Sequence, residues 1–189
     1  AKSSARDLCR IYRDTYNLNI CYGILFNHES HLRARNFVTR KIVYNLVSLF
    51  YDSQRQPVLL GNLNASRDWS HAEDFVLAFY RLSLLGLKGD YVFGSGRLTS
   101  IREFISITAT QLGYMPSFVN SGLDEECIDE RSGRCLIRVS KSYYRINDHS
   151  GKMANSSKLT EALNWSFKKS LADIIYDMIE FDRRCHPNV

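Results

Sequence analysis

The densest chemistry in these 189 residues lies between positions 24 and 41, ILFNHESHLRARNFVTRK. An apolar run, Ile24-Leu25-Phe26, breaks into Asn27, His28, Glu29 and Ser30. Arg33, Arg35, Arg40 and Lys41 follow, with no acid from residue 32 to 41. A cluster of one sign suggests an anionic ligand, and a nucleotide diphosphate and a nucleic acid are both candidates. Nothing in the chain has the pattern of an RRM, a zinc finger or another nucleic-acid module. If the apolar run is a strand of a parallel sheet, Asn27 and His28 stand at its carboxyl end, where open α/β sheets bind ligands. The plainer alternative for His28 is a cap on a buried strand end. The pair His28 and His31 lacks the H-E-x-x-H spacing that sets two zinc ligands on one helix face, so no metal site is expected.

The elements that must position these residues follow from apolar periodicity. Residues 2–15 read as a helix with Leu8, Ile11, Tyr12 and Tyr16 on one face. NLNICYGILFN is a β-rich run with little alternation, as in a strand buried on both faces. A helix from Phe37 to Phe50 turns Phe37, Val38, Ile42, Val43, Leu46, Val47 and Phe50 inward. PVLLGN is a short strand. The stretch Trp69 to Leu85 reads as a helix with Ala72, Phe75, Val76, Phe79 and Leu82 inward. Trp69, Phe75 and Phe79 are assigned to the core rather than to a ligand platform. YVFGSG is a second buried strand, and a helix runs from Ser100 to about Leu112. That helix opens with Ser100 and Glu103 at capping-box spacing. Residues 113–137 read as polar and irregular, LIRVSKSYY as a further strand, and helices from Ser156 to Leu163 and Lys169 to Arg184 close the chain. Strands alternating with helices predict an α/β fold with parallel strands.

Bulk properties agree with a globular domain: 44% hydrophobic and 24% charged residues, net charge +5, pI near 9.0. No apolar run approaches the length of a membrane span. Ala1 to Arg6 has no apolar segment of signal-peptide type, and the lack of an initial Met suggests that the native N-terminus lies upstream or was removed. Five cysteines without a C-x-x-C pair suggest reduced thiols and a cytoplasmic setting.

GILFNHES with Arg33 and FVTRK, then GNLNASRDWSHAEDFV, GSGRLTSIREF and SYYR, in this order, resemble the GDP-mannose 4,6-dehydratase family of extended short-chain dehydrogenase/reductases over essentially the whole chain. The resemblance implies an NAD(P)-binding Rossmann-type fold with a mixed α/β substrate-binding domain. This chain would be its C-terminal part. Residues 1–34 and about 57–112 would belong to the cofactor domain, interleaved with substrate elements. Residues 35–56 and 113–189 would be mostly the GDP-sugar subdomain. Lys2 stands at the same distance before His28 as the lysine of the family's Tyr-x-x-x-Lys motif, so it matches the catalytic lysine. The tyrosine would lie upstream of residue 1, because no lysine in the chain has a tyrosine four places before it. Gly94-Ser95-Gly96 lacks the third glycine of a dinucleotide loop.

By the same resemblance, Lys2, His28 and Arg33 contact NADP. Asn27 meets the sugar nucleotide, Lys41 and Arg67 face its diphosphate, and Arg145 and Asp148 contact the nucleotide end. For Lys41 and Arg67 the alternative is a solvated surface charge. Two departures stand out: the family's Pro-Arg-Arg-Gly is His31-Leu32-Arg33-Ala34 here, and its Arg-Pro-x-Glu is Arg145-Ile146-Asn147-Asp148. The implied reaction converts GDP-mannose to GDP-4-dehydro-6-deoxy-mannose, precursor of GDP-fucose, in a homo-oligomeric dimer or tetramer without nucleic-acid or membrane partners. The 189 residues alone are expected to be inactive. The competing expectation is a non-catalytic relative that keeps the nucleotide-sugar cleft for binding or assembly.

Overall fold

A computed structural model describes residues 1–145 and 151–185. In chain order the elements are α1 (Lys2–Tyr16), β1 (Cys21–Leu25), β2 (Asn27–Glu29), α2 (Val38–Tyr51), β3 (Val58–Leu60), β4 (Ser66–His71), α3 (Ala72–Leu84), β5 (Gly89–Phe93), β6 (Leu98–Ser100), α4 (Ile101–Gln111), β7 (Pro116–Val119), β8 (Glu126–Asp129), β9 (Cys135–Val139), α5 (Ser157–Leu163) and α6 (Leu171–Arg184). The fold is mixed α/β. β1 and β5 form a parallel pair, β2-β4-β6 form a three-stranded sheet, and β3-β9-β8-β7 form a four-stranded one.

Two apolar clusters hold these layers. In the larger, α2, α4 and α6 pack on β3, β8 and β9 through Ile42, Leu46, Phe104, Ile137 and Met178. In the smaller, Phe75 and Leu82 of α3 and Phe93 of β5 meet Leu159 of α5 and Trp165. The periodicity that placed α2, α4, α5 and α6 is therefore the periodicity of buried faces, except that Phe37 and Phe50, expected inward on α2, are exposed at its two ends.

Several expectations change. The Leu8-Ile11-Tyr12-Tyr16 face of α1 is open: Leu8 is 56% and Tyr16 62% exposed, and α1 buries no residue. Its ties to the sheet are polar instead, with Arg6 and Arg13 reaching Asp90 at 2.6 and 3.2 Å and Tyr22 Oη donating to the Lys2 carbonyl. β1 is half-buried rather than buried on both faces, and Leu25 is exposed. Trp69 belongs to β4, not to a helix, and is buried as expected. That strand reads poorly because it buries polar Asp68, Ser70 and His71, of which Asp68 and His71 are held by hydrogen bonds. Within α3, Val76 points outward while Asp74 is buried. Residues 113–137 are not irregular, since β7 and β8 pair antiparallel there. Finally, Ser100 does accept from the Glu103 N–H, but the Glu103 carboxylate goes to Arg97 at 2.6 Å, so only half of the capping box forms. The complete box sits at Ser170 and Asp173 on α6.

Candidate functional site

Three cavities adjoin: two share walls where β1 passes into β2, and the third meets one of them at Arg67. The first, about 560 Å³, is lined by Lys2, Ser3, Arg6, Tyr22, Leu25 and His28, among others. The middle one, about 370 Å³, takes Leu25 and His28 from the first and adds Asn27, Arg33, Arg67 and Lys152. The third, about 480 Å³, shares Arg67 with the middle one and adds Phe37, Lys41, Asn62, Tyr143 and Arg145. Every sequence-predicted site residue within the described part thus lines one continuous groove. Asp148 lies outside the described residues.

Local structure explains each placement. His28 Nδ1 lies 3.0 Å from the Phe26 carbonyl. A carbonyl only accepts, so this contact places a proton on Nδ1. Its ring packs 5.2 Å from that of Phe75. Asn27 donates its side-chain amide to the Asp68 carbonyl at 3.2 Å, cross-linking β2 to β4. Arg33 is held on three sides. It donates to the His28 carbonyl at 3.0 Å, lies 3.6 Å from Glu29 and stacks 3.9 Å over the Phe37 ring. Glu29 is buried, and that burial pushes its carboxyl up, against the pull of the Thr39 hydroxyl at 2.6 Å and of the Arg33 charge.

The third cavity opens on the N-terminus of α2. No side chain caps that terminus, and Asn36, Phe37 and Val38 form part of the wall. Unsatisfied N–H groups and the helix dipole therefore favour an anion there. Lys41 donates to the Leu59 carbonyl at 2.7 Å and sits 3.7 Å over the Tyr143 ring. Gly61 makes the approach of Tyr143 possible, because a Cβ there would meet the Tyr143 carbonyl oxygen at 2.2 Å. Arg67 donates to the Ser66 carbonyl at 2.8 Å, and Arg145 stands exposed at the rim.

The basic cluster of residues 33–41 does not act as one surface. Arg40 is spent on Asp182 in a buried pair, and Arg35 stacks on Tyr44 at 3.8 Å. Only Arg33 and Lys41 of the four reach the groove. Two organising residues escaped the sequence. Asp68, fully buried, accepts from Ser95 N and Oγ, Gly96 N and Ala154 N, so it ties β4 to the loop after β5 and to residue 154. Its only signal was its place between Arg67 and Trp69. Lys152 had no motif at all.

The family model described as GDP-mannose 4,6 dehydratase matches residues 1–178. The GDP-mannose 4,6-dehydratase of Sinorhizobium fredii is 34% identical over 90% of this chain and 48% of its own length. The human GDP-mannose 4,6 dehydratase is 32% identical over 94% of this chain and 48% of its own. The chain spans about half the length of the curated relatives it matches. Among solved structures, RMD from Pseudomonas aeruginosa complexed with NADPH superposes with a TM-score of 0.74 at 18% identity, over 95% of this chain and 53% of that one. The dTDP-glucose 4,6-dehydratase of Bacillus anthracis in complex with NAD gives 0.73 at 17%, over 96% and 50%. These structural likenesses establish the fold. The family rests on the sequence match: the chain belongs to the GDP-mannose 4,6 dehydratase family.

Proposed function

We propose that these residues form the nucleotide-sugar cleft and the cofactor-ribose wall of an NADP-dependent GDP-mannose 4,6-dehydratase, a lyase that makes GDP-4-dehydro-6-deoxy-mannose on the way to GDP-fucose. The observation that carries this reading is Arg67, common to the middle and third cavities, which joins a cationic wall with Lys41 and Arg145 to the wall carrying Lys2, His28 and Arg33. A diphosphate needs cations and N–H donors, and the third cavity offers Lys41, Arg67, Arg145 and the α2 N-terminus. Asn27, fixed to β4, would orient the hexose. On the other side Lys2 would hold the nicotinamide ribose, with His28 and Arg33 completing the cofactor wall. The room beside Lys2 and the anchored ring of His28 fit such a ligand. When bound, NADP supplies the hydride acceptor that oxidises C4 and later reduces C6.

The acid–base tyrosine and the dinucleotide loop that this chemistry needs are not among the 189 residues. Turnover is therefore proposed for a complete protein that contains them. A homo-oligomer in the cytoplasm, without nucleic-acid or membrane partners, belongs to the same proposal. The five cysteines are free, and among the described residues no helix is long and apolar enough to cross a membrane.

The test is turnover of GDP-mannose with NADP by the complete protein, together with binding of each ligand to Arg67→Ala and Arg67→Lys. Loss of the guanidinium should weaken GDP-mannose binding by roughly 2–5 kcal/mol if the pair is desolvated. Lysine should recover only part of that, and NADP alone should bind almost as before. Unchanged GDP-mannose affinity in Arg67→Ala would overturn the diphosphate assignment. Binding of both ligands without turnover would identify the non-catalytic relative instead.

A further inference from the structure

The middle cavity contains a cation that no motif accounts for. Among the described residues its lining is Leu25, Phe26, Asn27, His28, Arg33, Arg67 and Lys152. Arg33 is backed by Glu29 at 3.6 Å, and Arg67 leans on the Ser66 carbonyl at 2.8 Å. Lys152 is exposed and reaches the same space from a different segment of the chain.

That segment is fixed on both sides of the lysine. Gly151 lies against β4 so closely that a Cβ would meet the Ser66 carbonyl oxygen at 2.0 Å. Two residues beyond Lys152, the Ala154 N–H donates to buried Asp68 at 3.0 Å, and the Ser156 hydroxyl donates to the Gly94 carbonyl at 2.7 Å. Ser66 and Asp68 flank Arg67, so the contacts that fix the backbone of Arg67 also fix that of Lys152. Two cations held against one stretch of strand, lining one cavity, form a seat for a group carrying several anionic oxygens.

We propose that Lys152 is a further phosphate-binding residue of the groove, acting beside Arg67 on the ligand's phosphoryl oxygens. This rests on the functional reading above for the identity of the ligand, though not for its chemistry. Phosphoryl oxygens could come from a nucleoside diphosphate or from a dinucleotide. The shared scaffold with Arg67 assigns them to the nucleoside diphosphate.

The experiment titrates GDP, inorganic pyrophosphate and NADP against the complete protein and its Lys152→Met, Lys152→Arg and Gly151→Ala variants at several salt concentrations. Losing one charge-assisted contact should weaken GDP and pyrophosphate binding about tenfold in Lys152→Met and flatten their salt dependence. Lys152→Arg should retain most of the affinity. Gly151→Ala, which must push the segment off Ser66, should reproduce the Met defect with the lysine still present. Because Lys152 is exposed, the thermal midpoint of Lys152→Met should match wild type, which separates binding from folding. A loss confined to NADP would overturn the assignment to the diphosphate and move Lys152 to the dinucleotide. Unchanged affinity for all three probes would overturn the proposal and leave the functional reading standing. Pyrophosphate binding that depends on Lys152 in a protein that ignores GDP-mannose would do the reverse.

Discussion

Arg40 and Asp182, 142 positions apart, form a two-pronged pair at 2.7 and 2.8 Å, with side chains only 2% and 1% exposed. It locks the start of α2 to the end of α6, where the neighbouring Phe181 stacks on His31 with ring centroids 4.5 Å apart. The loop that carries Arg33 is thereby fastened to the far end of the chain. Removing one partner strands a buried charge, so Asp182→Ala should lower unfolding stability by about 3–5 kcal/mol. The double variant Arg40→Met with Asp182→Leu should recover most of that. Denaturant titration of the three proteins decides it, and a double variant no better than the single would mean that the pair itself stabilises the fold.

Asp68 offers a second test. Its carboxylate accepts from four donors on two segments, residues 95–96 and residue 154, and asparagine can satisfy only some of them, because its amide NH₂ would face N–H groups. Asp68→Asn should cost at least about 2 kcal/mol. It should also speed amide exchange at Gly96 and Ala154 relative to the α2 core. Unaltered exchange at both amides would show that the loops are held by something else.

His71 gives a pH dependence of definite sign. Burial, followed by the charge of Lys169, holds its imidazole below the ordinary value of 6.5, against Asp177 of α6 and Asp74 and Glu73 in the first turn of α3. Its Nδ1 accepts from the Glu73 N–H at 3.3 Å and caps α3, which requires the neutral ring. The unfolded state therefore binds the proton first, and stability is lost as pH falls below 6.5 toward the folded value. His71→Asn keeps a capping acceptor but does not titrate. Chemical unfolding at pH 7.5 and 5.5 should show a smaller drop for His71→Asn than for wild type, and equal drops would refute the assignment.

The open face of α1 predicts behaviour in solution. Leu8, Ile11, Tyr12 and Tyr16 lie on one side of a helix that buries nothing, a contiguous apolar strip of the kind that drives association. The 189 residues by themselves should bind a hydrophobic dye and self-associate with rising concentration. Leu8→Glu with Ile11→Lys should suppress both, as read by dye fluorescence and sedimentation, without lowering the midpoint of unfolding. Dye binding that persists in that variant would locate the sticky surface elsewhere.

What the sequence revealed was what local periodicity encodes. α2, α4 and α6 repeat apolar residues at helical spacing, and β5 is a short run bounded by glycines, so each was legible. β4 was not, because its buried residues are polar and depend on donors from Ser95, Gly96 and Ala154 that lie far along the chain. β7 and β8 were hidden by the acids between Asp124 and Glu130, of which Asp129 turns inward to the Met115 N–H. Arg40 looked like a ligand-facing cation because nothing near it in sequence reveals Asp182. The cations of the groove were found through motifs, and Lys152 was missed because its position follows from Gly151 and Ala154 rather than from any pattern of its own.

Arg67 forms part of the wall of two compartments at once. Whatever occupies one side therefore changes the electrostatic field that the other side experiences. If both sides take anions, the two binding equilibria are linked: each ligand alters the affinity of the other by one and the same factor, whichever is added first. That factor, obtained by titrating each ligand in the presence and absence of the other, should move toward one in Arg67→Ala, even where the affinity for a single ligand has hardly shifted. A side chain shared by two compartments thus lets the occupancy of each be read in the affinity of the other.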